Sequence, residues 1–119
     1  FGYCDSGMIP WLVLLEHVCG RDVPLGRLVA AIAERHPASG EINLELADPA
    51  RALELVLERY APAALAIDRL DGMSAEFAEW RFNVRPSNTE PLVRVNLETR
   101  GDRELLAAKT DELLAVLRA

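Results

Sequence analysis

Three observations predict an α+β fold in which two helices lie on one face of a largely antiparallel sheet. Two runs, Trp80-Arg81-Phe82-Asn83-Val84-Arg85 and Val93-Arg94-Val95-Asn96-Leu97-Glu98, alternate apolar and polar residues. That alternation is the period-two signature of half-buried strands. Between them, Arg85-Pro86-Ser87-Asn88-Thr89-Glu90-Pro91 has the composition of a hairpin connection. The stretches behind Asp48-Pro49 and Gly101-Asp102 each place apolar residues at helical spacing after a capping residue.

Taken in order, the chain begins with the loop Asp5-Ser6-Gly7. A helix then runs from about Ile9 to Cys19, with Pro10 in its first turn and Gly20 as its stop. Trp11 to Leu15 make this helix apolar almost all round, the pattern of an element buried on several sides. Pro24 opens a second helix with Leu25, Leu28, Val29, Ile32 and Ala33 along one stripe, and His36-Pro37 ends it. A domain boundary is expected here, dividing 1–38 from 39–119. Beyond it, Ile42, Leu44 and Leu46 mark a first strand. The helix after Asp48 reaches about Tyr60 and buries Leu53, Val56, Leu57 and Tyr60, and Pro62 closes it. Leu65, Ile67 and Leu70 suit a second strand, and Asp71-Gly72 reads as a two-residue hairpin turn into Met73–Phe77. The two alternating runs follow, and a last helix from Arg103 to about Leu117 carries Leu106, Leu113 and Leu117 inward. The predicted order of the compact unit is β-α-β-β-β-β-α.

The 119 residues are half apolar, so disorder is not expected. No apolar run reaches the roughly 18 residues needed to span a bilayer, and no membrane association is expected. The sequence opens on Phe1-Gly2-Tyr3-Cys4 without a Met or a signal-peptide layout, which reads as a cut inside a longer protein. A formal charge of −6 argues against nucleic acid as a partner, because binding its backbone depends on Lys and Arg neutralising phosphates. Cys4 and Cys19 have no metal-binding spacing. Two unclustered thiols fit a reducing cytoplasm.

The hairpin loop carries the chemistry. Arg85 is a permanent, planar, multi-donor cation, Ser87 and Thr89 bring hydroxyls, and Asn88 brings an amide. Pro86 and Pro91 stiffen the ends, and consecutive backbone N–H groups in a turn can converge on an anion. Arg81, Arg85 and Arg94 are expected on one face of the hairpin, a positive spot in an acidic domain that suits a small anion. Pro, Ser and Asn are also ordinary turn formers, and an Arg at a strand end is often simply solvated. Spacing alone leaves both readings open.

The order of elements and the loop together resemble the C-terminal domain of the α-D-phosphohexomutase family, which has a TATA-binding-protein-like fold. The family signature is Arg, a small residue or proline, Ser, Gly or Asn, Thr, then commonly Glu and Pro. Residues 85–91 match it position by position. Asp71-Gly72-Met73 and the run 80–98 look most like the phosphomannomutase/phosphoglucomutase members. Asn88 in place of Gly separates the chain from phosphoglucosamine mutase, which stays as an alternative. Residues 1–38 resemble the tail of the preceding sugar-binding domain and a linker helix.

The resemblance implies that Arg85, Ser87, Asn88 and Thr89 bind the non-reacting phosphate of a hexose phosphate, mannose or glucose 1- or 6-phosphate, during 1,6-phosphoryl transfer. Arg94 takes a supporting part, or is a strand-surface charge pairing with Glu98 or Asn83. The family's phosphoserine, its Mg²⁺ site and its sugar loop have no counterpart here. Catalysis, and Mg²⁺ as cofactor, are therefore expected only of a full-length enzyme with its N-terminal domains. A different class of reading is a non-catalytic protein-interaction module. On either reading, the apolar residues 9–15 are expected to drive self-association of the chain.

Overall fold

The computed structural model describes residues 6–87, 90 and 92–119, which fall into two compact units divided between Ala33 and Glu34. In the first unit, helix α1 (Met8–Cys19) ends where the Gly20 N–H reaches the Glu16 carbonyl at 2.9 Å. None of its residues is buried, and Trp11 and Val13 are 54% and 60% exposed. Helix α2 (Leu25–Arg35) begins after Pro24 and likewise buries no residue.

The second unit is a five-stranded antiparallel sheet carrying two helices. Its elements are β1 (Ile42–Glu45), α3 (Pro49–Tyr60), a 3₁₀ turn (Ala61–Ala63), β2 (Ala66–Asp68), β3 (Met73–Glu76), β4 (Trp80–Pro86), β5 (Leu92–Thr99) and α4 (Arg103–Leu117). The strand order is β1-β5-β4-β3-β2. Thus β1, first in the chain, pairs with β5, the last strand, through Ile42↔Val95 to Glu45↔Leu92. This is the expected α+β architecture with its antiparallel sheet, and the element order agrees.

Alternation decides which face is covered. Trp80, Phe82 and Val84 of β4 and Val93, Val95, Leu97 and Thr99 of β5 are buried. All of these but the polar Thr99 form the core with Leu44, Ala52, Val56, Tyr60, Met73, Ala75, Phe77, Leu113 and Leu117. Full burial of one such aliphatic side chain stabilises the fold by about 1.5–3 kcal/mol. Phe77 stacks on Trp80 at 4.3 Å, and the Tyr60 ring meets Trp80 and Phe82 edge-on at 5.8 and 5.3 Å. Burial pushes the Tyr60 phenol up to about 12, and the Glu112 carboxylate adds to the shift. Asp48 and Asp102 cap α3 and α4 by accepting the Arg51 and Leu105 N–H groups at 3.0 and 2.8 Å. Arg59 of α3 reaches Glu112 of α4 at 2.8 Å.

Two local expectations change. Strand β2 stops at Asp68, because its carboxylate accepts the Leu70 N–H at 2.8 Å and turns the chain, leaving Leu70 92% exposed. The connection to β3 therefore spans residues 69–72 instead of a two-residue turn at Asp71-Gly72. In α3, Ala52 is buried, whereas Leu53 and Leu57 are only partly buried. Residues 37–39 already run beside β5: the Thr99 N–H reaches the Pro37 carbonyl and the Ser39 N–H the Leu97 carbonyl, at 2.9 and 3.0 Å.

Candidate anion site at the base of the β4–β5 hairpin

The sheet face opposite the helices is open, and period-two alternation delivers Arg81, Asn83 and Arg85 from β4 and Arg94, Asn96 and Glu98 from β5 to it. The register is the decisive detail. Arg85 lies directly opposite Arg94 in the β4–β5 ladder. Two like charges facing each other across a ladder repel and weaken it. Both stand at the strand ends where the loop begins, so the hairpin presents two guanidiniums at its mouth.

Carboxylates from elsewhere in the chain balance them. Arg85 Nη1 donates to Asp71 Oδ2 at 3.1 Å, and its Nη2 lies 3.8 Å from Glu41 Oε2. Arg94 Nε lies 3.9 Å from Glu41 Oε1, and its Nη2 3.6 Å from Glu90 Oε2. Glu41 therefore spans the pair. Only the Asp71 contact is of hydrogen-bond length; the others neutralise charge without satisfying donors. Arg94 Nε is buried and has no hydrogen-bond partner among the described residues. A buried donor left in this condition costs about 1–3 kcal/mol, and an oxygen-rich anion would relieve it.

Asp71 is held firmly. The Asn83 amide donates to the Asp71 carbonyl and to Ser74 Oγ, both at 3.0 Å. Gly72, at φ +75°, packs so tightly that a Cβ there would lie 2.3 Å from the Val84 carbonyl oxygen and 2.6 Å from Arg85 Cα. The turn is thus wedged against the backbone of Arg85. At the loop itself, the Ser87 N–H donates to the Leu92 carbonyl at 2.8 Å, and Ser87 Oγ accepts the Glu90 N–H at 3.3 Å. Asn88 and Thr89, the other two residues expected at the site, lie outside the described residues.

The expected positive spot needs correction. Arg81, Arg85 and Arg94 do share the open face, but none stands alone. Arg81 is taken by Glu98 at 2.7 Å, and the other two are covered as described. Arg94 pairs with Glu41 and Glu90, not with Glu98 or Asn83. Sequence reasoning missed Glu41 and Asp71 as neighbours of the arginines. Asp71 carried a signal, since an Asp-Gly turn before a strand had to sit somewhere along β4, whereas Glu41 carried none. A recess of about 300 Å³ is lined by Ala66, Ser74, Arg81, Asn83 and Asn96 among others, and by neither Arg85 nor Arg94. Among the described residues no group of three or more His, Cys, Asp or Glu side chains converges as a metal ion requires. Among the same residues no helix is long and apolar enough to cross a membrane.

Comparison with known proteins adds the context. Residues 41–116 match the family described as phosphoglucomutase/phosphomannomutase, C-terminal domain. The chain is 55% identical over 117 residues to a phosphomannomutase of Escherichia coli strain K12 and 54% identical over 119 residues to one of Salmonella montevideo. It is 48% identical over 118 residues to a protein named phosphohexose mutases from Xanthomonas campestris pv. campestris. These alignments cover 98–100% of the chain and 26% of each relative, so the chain spans about a quarter of their length. A crystal structure of a phosphoglucomutase/phosphomannomutase family protein from Burkholderia thailandensis superposes with a TM-score of 0.64 at 22% identity, over 95% of this chain and 23% of that one. At that identity the likeness concerns the fold.

Proposed function

We infer, since the chain belongs to the phosphoglucomutase/phosphomannomutase C-terminal domain family, that it holds the non-reacting phosphate of a hexose phosphate while another part of a phosphomannomutase or phosphoglucomutase moves the second phosphoryl group. In that reading residues 39–119 are the C-terminal domain, and residues 1–38 are the tail of the preceding domain with its linker helix. The parent is a cytoplasmic enzyme, and its Mg²⁺ and phosphoserine belong to parts outside this chain. The observation that carries the reading is the in-register Arg85–Arg94 pair at the hairpin mouth, two guanidiniums whose nearby carboxylates leave the buried Arg94 Nε without a hydrogen-bond partner among the described residues.

Arg85 suits the main phosphate contact because its forked donors match two phosphate oxygens at once. Arg94 adds charge, and its orphaned Nε adds a donor. The Ser87 hydroxyl, the Asn88 amide, the Thr89 hydroxyl and the loop N–H groups are proposed to complete the shell. A bisphosphorylated sugar has one end in reaction and one end idle. Binding energy at the idle end orients the reacting end, and a domain that closes over the ligand keeps water from the phosphoryl group in transit.

The test is Arg85→Ala. In an enzyme carrying this domain, kcat/KM should fall by the equivalent of about 2–5 kcal/mol, the cost of removing one partner of an enclosed charge pair. The melting temperature of the chain should barely move, because Arg85 is a surface residue held by exposed ion pairs. In the isolated chain, amide shifts caused by mannose 1-phosphate should centre on residues 85–94 and vanish in the variant. Unchanged kinetics, or shifts confined to other regions, would refute the assignment.

A further inference from the structure

The guanidinium pair is already served by acids, and the arithmetic of charge bears on any ligand that enters. Two arginines stand among three carboxylates, Glu41, Asp71 and Glu90. Adding a phosphate dianion to that cluster as it stands would crowd anions together, so at least one carboxylate has to give way. The three differ in how firmly they are held. Asp71 makes a hydrogen bond of 3.1 Å and sits in a turn fastened by Asn83 and wedged by Gly72. Among the described residues the Glu90 carboxylate pairs with Arg94, at 3.6 Å. Glu41 touches both arginines, at 3.8 and 3.9 Å, beyond hydrogen-bond length. It follows Gly40, whose φ is +70° with nothing within 4 Å of where a Cβ would lie. Glu41 therefore occupies the position between the two guanidiniums that a bridging phosphate needs, and holds it through two long contacts with no hydrogen bond.

We propose that the Glu41 carboxylate competes with the substrate's phosphate for the Arg85 and Arg94 guanidiniums and is displaced when phosphate binds, whereas Asp71 stays in place and positions Arg85. This rests on the assignment of phosphate binding to the hairpin. Glu41 acts as a specificity element: a monoanion or a weakly charged ligand gains too little from the two guanidiniums to displace it, and a dianionic phosphate gains enough. Phosphate oxygens at charge-assisted distances, about 2.7–2.9 Å, would satisfy the Arg94 Nε donor that Glu41 leaves unserved. Release is eased in the same exchange, because the carboxylate returns as the phosphate leaves.

The experiment is an NMR titration of the 119-residue chain with inorganic phosphate at constant ionic strength and at a pH where the dianion dominates. It compares the unaltered chain with Glu41→Gln, Asp71→Asn, Arg85→Ala and Glu98→Gln. Glu41→Gln should bind phosphate about two- to five-fold more tightly, in line with the modest strength of exposed ion pairs. Acetate should gain at least as much from the same change, so the preference for phosphate over acetate narrows in Glu41→Gln. Asp71→Asn should bind more weakly, since Arg85 loses its orientation. Glu98→Gln removes the same charge from the same face but acts on Arg81; it should change affinity much less than Glu41→Gln and so controls for general electrostatics. Affinity unchanged or weakened in Glu41→Gln, or a gain matched by Glu98→Gln, overturns the competition. If Arg85→Ala binds phosphate as well as the unaltered chain, or if that chain gives no shifts near Arg85, the hairpin assignment itself fails.

Discussion

Replacing Gly72 by Ala tests whether the Asp71-Gly72 turn is truly pressed against the site. Two costs add. At φ +75° an L-residue is in the left-handed region, which costs roughly 1–2 kcal/mol. The new methyl would also meet the Val84 carbonyl oxygen at 2.3 Å and Arg85 Cα and Cβ at 2.6 and 2.7 Å. Those are backbone atoms and a Cβ of a central strand, so the strand or the turn must shift, an overpacking cost of about 1–3 kcal/mol. Gly101→Ala isolates the second cost, because φ there is +76° and the nearest atom, the Arg35 carbonyl oxygen, is 4.0 Å away. Any gain from stiffening the unfolded chain is common to both variants. Urea unfolding should therefore show Gly72→Ala less stable than Gly101→Ala by about 1–3 kcal/mol. Trp80 fluorescence in a Trp11→Phe background reports the sheet unit alone. Because Arg85 must move to admit the methyl, Gly72→Ala should also weaken phosphate binding while Gly101→Ala does not. Equal losses of stability in the two variants would show that the turn has room, and the case for a fixed Asp71 would fall with it.

Titration gives two further outcomes. Burial holds the Tyr60 phenol protonated to about 12 against 10 for an ordinary tyrosine. A raised folded value means that its stabilisation is complete below 10 and declines as pH climbs toward 12, by about 3 kcal/mol. The unaltered chain should thus lose stability relative to Tyr60→Phe across that window, and parallel curves would refute the cause. Glu112 is shifted the other way, lowered chiefly by its hydrogen bond to Lys109, with Arg59 contributing and burial opposing. Its contribution should be present above 4.5, the ordinary value, and fade as pH falls through the lower folded value. Glu112→Gln should flatten that part of the acid-unfolding curve, by about 1 kcal/mol or less. Finally, α1 exposes Trp11, Leu12, Val13, Leu14 and Leu15, and the chain is proposed to self-associate through them. Light scattering should show concentration-dependent growth that Leu12→Glu suppresses, whereas a monomer in both forms would end that idea.

What sequence reveals of this fold and site depends on how far apart the interacting residues lie along the chain. Period-two alternation in Trp80–Arg85 and Val93–Glu98 locates β4 and β5 and orients both faces, because the pleat leaves no freedom once one face is buried. Asp48-Pro49 and Asp102 locate two helix starts for an equally local reason. The end of β2 was less legible, because the Asp68 side chain competes with the ladder for the Leu70 N–H, a choice of partner that periodicity does not encode. Arg85 and Ser87 could be singled out from the loop motif, and hairpin geometry brings Arg94 along with them. Their acidic partners could not be read in the same way. Glu41 reaches the arginines only because the chain crosses the sheet and sets β1 against β5, a pairing of residues about fifty positions apart. Asp71 reaches Arg85 because β3 pairs with β4 in a register that sets Met73 against Val84 and brings the turn before it alongside Arg85. A motif can therefore name the cations that attract a phosphate. The anions that decide how strongly it is attracted come from topology, and an acidic chain can carry an anion site because its carboxylates are placed to be displaced.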